Sequence, residues 1–231
     1  MYQYDAIFFD LDGTLLPMDL EKFTKGYFGL LARRFSQYDS KALIDAVWQG
    51  TAAMTANDGT MTNEERFWQV FSGLMGREVL ERQAEFQDFY HTDFHQAKAF
   101  TAPTPLAKLL VAQARQRAKL VVLATNPLFP TCGVESRLSW LDLAISDFDY
   151  VTTYENASFC KPNPAYYQHI CQTLQLDPAQ CLMIGNDLKE DAQGASQAGL
   201  QIHVVTDCLI PHGLSLDMWP HSTLAELQRT L

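Results

Sequence analysis

Apolar and polar positions divide the chain into two rhythms. From Asp19 to about Lys98 the apolar residues recur three and four apart, the spacing of one helix face. Leu20–Phe35 carries Phe23, Tyr27, Leu30, Leu31 and Phe35, and Lys41–Ala56 carries Leu43, Ile44, Val47, Trp48 and Met54. Thr62, with Glu65 three residues on, is a capping-box pattern that opens a helix over Asn63–Met75. Arg77–Lys98 reads as a fourth helix, with the stripe Val79, Leu80, Phe86, Phe89, Tyr90 and Phe94. Outside this stretch short apolar runs alternate with helical segments. Ala6–Phe9, Leu120–Ala124, Tyr150–Thr153, Cys181–Ile184 and Gln201–Val205 have strand length. Leu106–Arg117, Pro164–Leu174, Lys189–Ala198 and Leu224–Leu231 have helical spacing. Alternating strands and helices predict an α/β fold, a mostly parallel sheet with helices on both faces.

Prolines mark where one rhythm gives way to the other. Pro17 ends the first strand segment, and Thr101-Ala102-Pro103-Thr104-Pro105 breaks the helical pattern. We therefore expect a core domain from residues 1–16 and 102–231, interrupted by an all-helical insert over 17–101. The two junctions are the expected hinges.

The chemistry gathers where strands end. Ala6–Phe9 runs into Asp10-Leu11-Asp12-Gly13-Thr14, and residues two apart on an extended chain point to the same side. Asp10 and Asp12 can thus address one point beyond the strand. Two carboxylates there are electrostatically costly without a positive charge between them, and a hard divalent cation with oxygen ligands meets that need. Alone, such a pair is more often a solvated acidic turn. Other strands, however, end at Thr125-Asn126 and at Gly185-Asn186-Asp187, with Asp191 a helical turn further on. Lys161 lies in a loop, Phe159–Pro164, just before a helix. Ligands of parallel sheets bind at the carboxyl ends of the strands, so these residues are candidates for one site. Several carboxylates, one lysine and one hydroxyl suit phosphoryl transfer, which needs positioning and charge neutralisation.

Composition excludes some alternatives. A net charge of −10 argues against a nucleic-acid binder, since that affinity rests on Lys and Arg. No apolar run approaches a membrane span, and MYQYDAIFFD lacks the basic start of a signal peptide, so the chain reads as cytoplasmic. Five cysteines without a CxxC pair make disulfide scaffolding and structural zinc poor explanations.

FFDLDGTL, LATN, the Lys161 loop and GNDLKED, in this order, resemble the four signature motifs of the haloacid dehalogenase-like (HAD) hydrolases. The resemblance spans the first strand to Val205 and implies a Rossmann-like core. It puts the helical insert where that superfamily carries its C1 cap. It implies that Asp10 is a nucleophile forming an aspartyl phosphate, and that Asp12 protonates the leaving oxygen and activates water. Such an Asp12 needs a raised pKa. Mg²⁺ would be held by Asp10, the Asp12 carbonyl and Asp187. Thr125, Asn126 and Lys161 would bind phosphate, and Asp191 would support Lys161. The 2-haloacid dehalogenases lack an acid matching Asp12, so its presence favours phosphate esters. The expectation is a Mg²⁺-dependent phosphatase of a small phosphorylated metabolite, monomeric or dimeric. A phosphomutase or phosphotransferase of the same superfamily, or a silent binding protein, is the alternative.

Other features read more blandly. His91 and His95 sit four apart with Asp88 nearby, but lack a further ligand and read as a surface face. The aromatic stripe from Phe86 to Phe94 reads as core of the insert. Substrate choice is assigned first to Met18, Asp19, Lys22 and Phe23, then to Trp48, Thr51 and Met54.

Overall fold

The computed structural model describes residues 2–231. Among them, six strands form one all-parallel sheet in the order β3-β2-β1-β4-β5-β6. The strands are β1 (Tyr4–Phe9), β2 (Ala118–Leu123), β3 (Tyr150–Val151), β4 (Cys181–Gly185), β5 (Gln201–Val205) and β6 (His221–Ser222). β1 is central and pairs with both β2 and β4. Alternation along it explains its burial on both sides: Ile7 and Phe9 join one apolar cluster, Ala6 and Phe8 the other. The chain builds outward from β1 through β2 to β3, then returns to β4 on the other side. That reversal of direction makes the carboxyl end of β1 the switch point of the sheet, the usual ligand crevice of such folds.

Between β1 and β2 come α1 (Leu20–Arg34), α2 (Ser40–Thr55), α3 (Asn63–Met75), α4 (Gln83–His91) and α5 (Leu106–Arg117). The capping box at Thr62 and Glu65 is present, with both reciprocal bonds made. Asp19 and Asp39 cap α1 and α2 by accepting from Lys22 and Ala42 N–H groups. The apolar faces of α1 and α4 pack against one another and against the sheet side. Tyr27 meets Phe129 with ring centroids 5.6 Å apart, and Phe94 meets Trp140 at 5.4 Å. The core of the insert is continuous with that of one sheet face. The two connecting segments run side by side: Ala102 N–H donates to the Pro17 carbonyl at 2.8 Å, and Met18 bridges Thr101.

Three expectations need correction. Arg77–Lys98 is not one helix but a 3₁₀ turn (Arg77–Arg82), α4 and a second 3₁₀ segment (Asp93–Phe100). Thr92, at φ −124° and ψ −88°, interrupts it, its hydroxyl bonding back to the Asp88 carbonyl. His91 and His95 therefore do not share a helix face, and His95 accepts from the Trp140 indole. The strand expected over Tyr150–Thr153 stops at Val151, because Thr152 turns its hydroxyl to the Leu123 and Thr125 carbonyls. The helix expected from Lys189 opens as a π turn (Leu188–Gln193) before α8 (Gly194–Gln197). Between β2 and β3 lies α6 (Thr131–Ser139). The remaining helices are α7 (Pro164–Leu174) and α9 (Leu224–Thr230). Among the described residues no helix is long and apolar enough to cross a membrane.

Candidate active site

Asp10 is the first residue beyond β1 and is anchored by its own N–H on the Ile184 carbonyl of β4. The residue as a whole is 7% exposed. One oxygen accepts from Lys161 Nζ at 2.8 Å, and the other from the Thr14 hydroxyl at 3.3 Å. Gly13, at φ +91°, turns the chain tightly enough for Thr14 to reach back, and a Cβ there would strike Asn186. Thr14 is shared, donating also to Asn186 Oδ1 at 2.8 Å.

Lys161 is fully buried and bridges Asp10 to Asp191, the latter at 2.7 Å. Burial alone would lower its pKa, but the two carboxylates hold it well above the ordinary lysine value. Asp191 is itself fixed by the Asn186 and Asp187 N–H groups, each at 3.0 Å to its second oxygen. This approach demands Gly185, where a Cβ would lie 2.3 Å from the Asp191 carboxyl. Asn126 ties the same loop down, accepting from Lys161 N–H and donating to Glu190. Thr125 is buried and its carbonyl is held by the Thr152 and Tyr166 hydroxyls at 2.7 and 2.9 Å.

Asp12 lies on the other side of the turn and pairs with the fully buried Arg137 of α6. Arg137 donates Nε–H to the Gly133 carbonyl and lies over the Phe129 ring at 4.2 Å. The second Asp12 oxygen is buried without a hydrogen-bond partner among the described residues. Burial raises the Asp12 pKa, with Arg137 and then Lys161 opposing. Burial likewise pushes Asp10 up to about 7, against the pull of Lys161.

Asp187 stands apart from this cluster in its bonding. One oxygen caps the π turn, accepting from the Lys189 and Glu190 N–H groups, and the other meets His212 Nε2 at 2.7 Å. Among the described residues no three His, Cys, Asp or Glu side chains are grouped to hold a metal. The set expected for Mg²⁺ is smaller: the Asp10 and Asp187 carboxylates and one main-chain carbonyl. The local charge fits such an ion. Five acids, Asp10, Asp12, Asp187, Glu190 and Asp191, stand against two cations, Lys161 and Arg137, which leaves net negative charge for a cation to offset.

Sequence reasoning missed Arg137, Glu190 and His212. Glu190 had a visible signal, an acid beside Asp191 and three residues after Asp187. Burial pushes it up to about 8 from an ordinary 4.5, chiefly against the attraction of Lys161. The unfolded chain thus loses this proton near 4.5 and the folded chain near 8, so the folded state binds more protons in between. Stability must then fall as pH rises through that window. Glu190→Gln is expected to melt with the parent at pH 4.5. At pH 8.5, in metal-free protein, it should be the more stable by roughly 2–5 kcal/mol. A melting-temperature gap that does not widen with pH would contradict this.

Of the residues assigned to substrate choice, Phe23, Trp48 and Thr51 line a cavity that Asp12 also lines. Asp19 instead caps α1, and Met54 packs with Tyr154 and Cys160. Burial pushes the Cys160 thiol up to about 12, which removes it as a nucleophile.

The family model for haloacid dehalogenase-like hydrolases matches residues 4–199. An N-acylneuraminate-9-phosphatase of Rattus norvegicus is 36% identical over 59 residues, 26% of this chain and 24% of that protein. The match therefore spans about a quarter of that relative's length. Among solved structures, a 2-haloacid dehalogenase from Pseudomonas syringae pv. Tomato DC3000 superposes with a TM-score of 0.62 at 17% identity, covering 99% of this chain and 97% of that one. A HAD hydrolase of Bacillus subtilis, described as bound to magnesium, gives 0.58 at 19% identity, with 99% of both chains covered. At these identities the likeness establishes the fold, and the chemistry has to be read from the site.

Proposed function

This chain belongs to the haloacid dehalogenase-like hydrolases, and from that premise we propose that it is a Mg²⁺-dependent phosphatase acting on a small phosphomonoester. The observation that carries this reading is the Asp10 carboxylate, held at the sheet's switch point between Lys161 and Thr14, with Asp12 two residues on. Asp10 attacks phosphorus, the bond to the ester oxygen breaks, and that oxygen leaves with a proton from Asp12. Asp12 then takes a proton from water, which attacks phosphorus, breaks the bond to Asp10 and releases inorganic phosphate. Lys161, together with Thr125 and Asn126, offsets the charge on the phosphoryl oxygens and holds them in line. Arg137 orients Asp12 and opposes the upward push that burial gives its pKa. Mg²⁺, when bound by Asp10, Asp187 and the Asp12 carbonyl, supplies electrophilic polarisation of the phosphoryl group.

An acid at position 12 supports phosphate esters over displacement at carbon, which has no leaving oxygen to protonate. We read residues 17–101 as a cap on the core formed by 1–16 and 102–231. The paired connectors at Pro17 and Ala102 are the segments that turn when it opens. In the assay that tests the function, purified protein is expected to release p-nitrophenol from p-nitrophenyl phosphate with Mg²⁺. The rate should fall at least ~100-fold in excess EDTA and return with Mg²⁺. Equal rates in EDTA would remove the metal from the proposal.

A further inference from the structure

The cavity that Asp12 helps to line lies between α1, α2, α3 and α4 of the insert and the Leu128–Pro130 segment beyond β2. Its volume is about 260 Å³. A cavity of about 150 Å³ lined by apolar groups already holds benzene, so this one accepts a larger, two-ring group. Its walls are aromatic: Phe23, Tyr27, Phe28, Trp48 and Phe129 face it, most meeting their neighbours edge to face or tilted. Leu20 and Trp48, at its rim, are each 50% exposed, an apolar lip open to water. Polar groups are sparse. The Tyr27 and Tyr90 hydroxyls are 3.0 Å apart, so one donates to the other and one hydroxyl proton of the pair is left to face a ligand, beside Thr24, Thr51, Gln87 and Asp12. A polyhydroxylated leaving group would bury several hydroxyls here without partners, and a flat apolar one would bury none.

Resting on the phosphatase reading above, we propose that the substrate is the phosphate monoester of a flat, apolar alcohol. Its ring system fills this cavity and its ester oxygen lies at Asp12. The ester oxygen keeps the electron pair of the broken P–O bond and takes its proton from the Asp12 carboxyl that lines the cavity. Ring faces and edges of the wall provide the offset and T-shaped contacts that aromatic groups prefer.

The test compares 2-naphthylmethyl phosphate with glucose 6-phosphate, both primary alkyl esters, so that leaving-group acidity is nearly matched. With Mg²⁺ present, kcat/KM is expected to favour the naphthyl ester by about 100-fold or more. Thr24→Trp, which places an indole inside the cavity, should bring the two substrates within about threefold of each other. Hydrolysis of glucose 6-phosphate as fast as the naphthyl ester by the parent protein would overturn the inference and leave the phosphatase reading intact. No hydrolysis of either ester, nor of p-nitrophenyl phosphate, would overturn both. The comparison in the parent protein decides the matter whether or not the Thr24 variant folds.

Discussion

Asp10→Asn is expected to retain the fold and lose at least about 10³-fold in phosphatase rate, because a carboxamide cannot carry the phosphoryl group. The structural side of this expectation is less obvious. Removing one partner of a buried ion pair usually costs several kcal/mol, since the other charge is left alone. Lys161 is not left alone here, because Asp191 holds it at 2.7 Å. Asp10 also carries a burial penalty large enough to lift its pKa to about 7. A neutral isostere relieves that penalty in a site already rich in carboxylates. The variant should therefore melt no lower than the parent in metal-free buffer near pH 7.5. A large loss of melting temperature would place Asp10 in the structural core rather than in the chemistry.

Lys161→Met reverses the situation and should be the most damaging single change at the site. It leaves Asp10 and Asp191 facing each other in a buried pocket without the cation that both contact. Breaking a buried pair in this way costs ~3–5 kcal/mol. In a chain of this size that corresponds to a melting temperature roughly 6–20 °C lower. The sign of the pH dependence follows from the carboxylates. Asp10, already raised by burial, would lose the Lys161 attraction that lowers it, so the folded variant would bind a proton that the unfolded chain has released. Its stability would then fall as pH rises from about 4 towards 8. The deficit against the parent should be smaller at pH 5 than at pH 8, and activity should be lost at both. A constant deficit across that range would mean that the lysine acts through packing alone.

How much of this was legible in the sequence depends on the range of the interaction. The first strand and the Asp10–Asp12 spacing are local, set by a two-residue period and a glycine, and both were readable. Capping at Thr62 was readable for the same reason. The Lys161–Asp10 contact spans 151 positions, and only the order of motifs along the chain suggested it. Arg137 had no such signal: its partner Asp12 is 125 positions away, and the sequence pattern marks no element over the stretch that carries it. The break at Thr92 was hidden because the aromatic stripe continues through it: Phe89, Tyr90 and Phe94 still pack together when the backbone changes winding. The engagement of Asp187 with His212 depends on a loop returning from beyond β5 to sit against β4, which no local pattern records.

Phosphoryl transfer to Asp10 is most directly tested by quenching the protein in acid during turnover of a phosphomonoester with Mg²⁺ and mapping the peptides by mass. The expected result is one phosphoryl group on the peptide that carries Asp10, absent from Asp10→Asn. Turnover with no such adduct under rapid quench, or an adduct on another residue, would contradict the role given to Asp10.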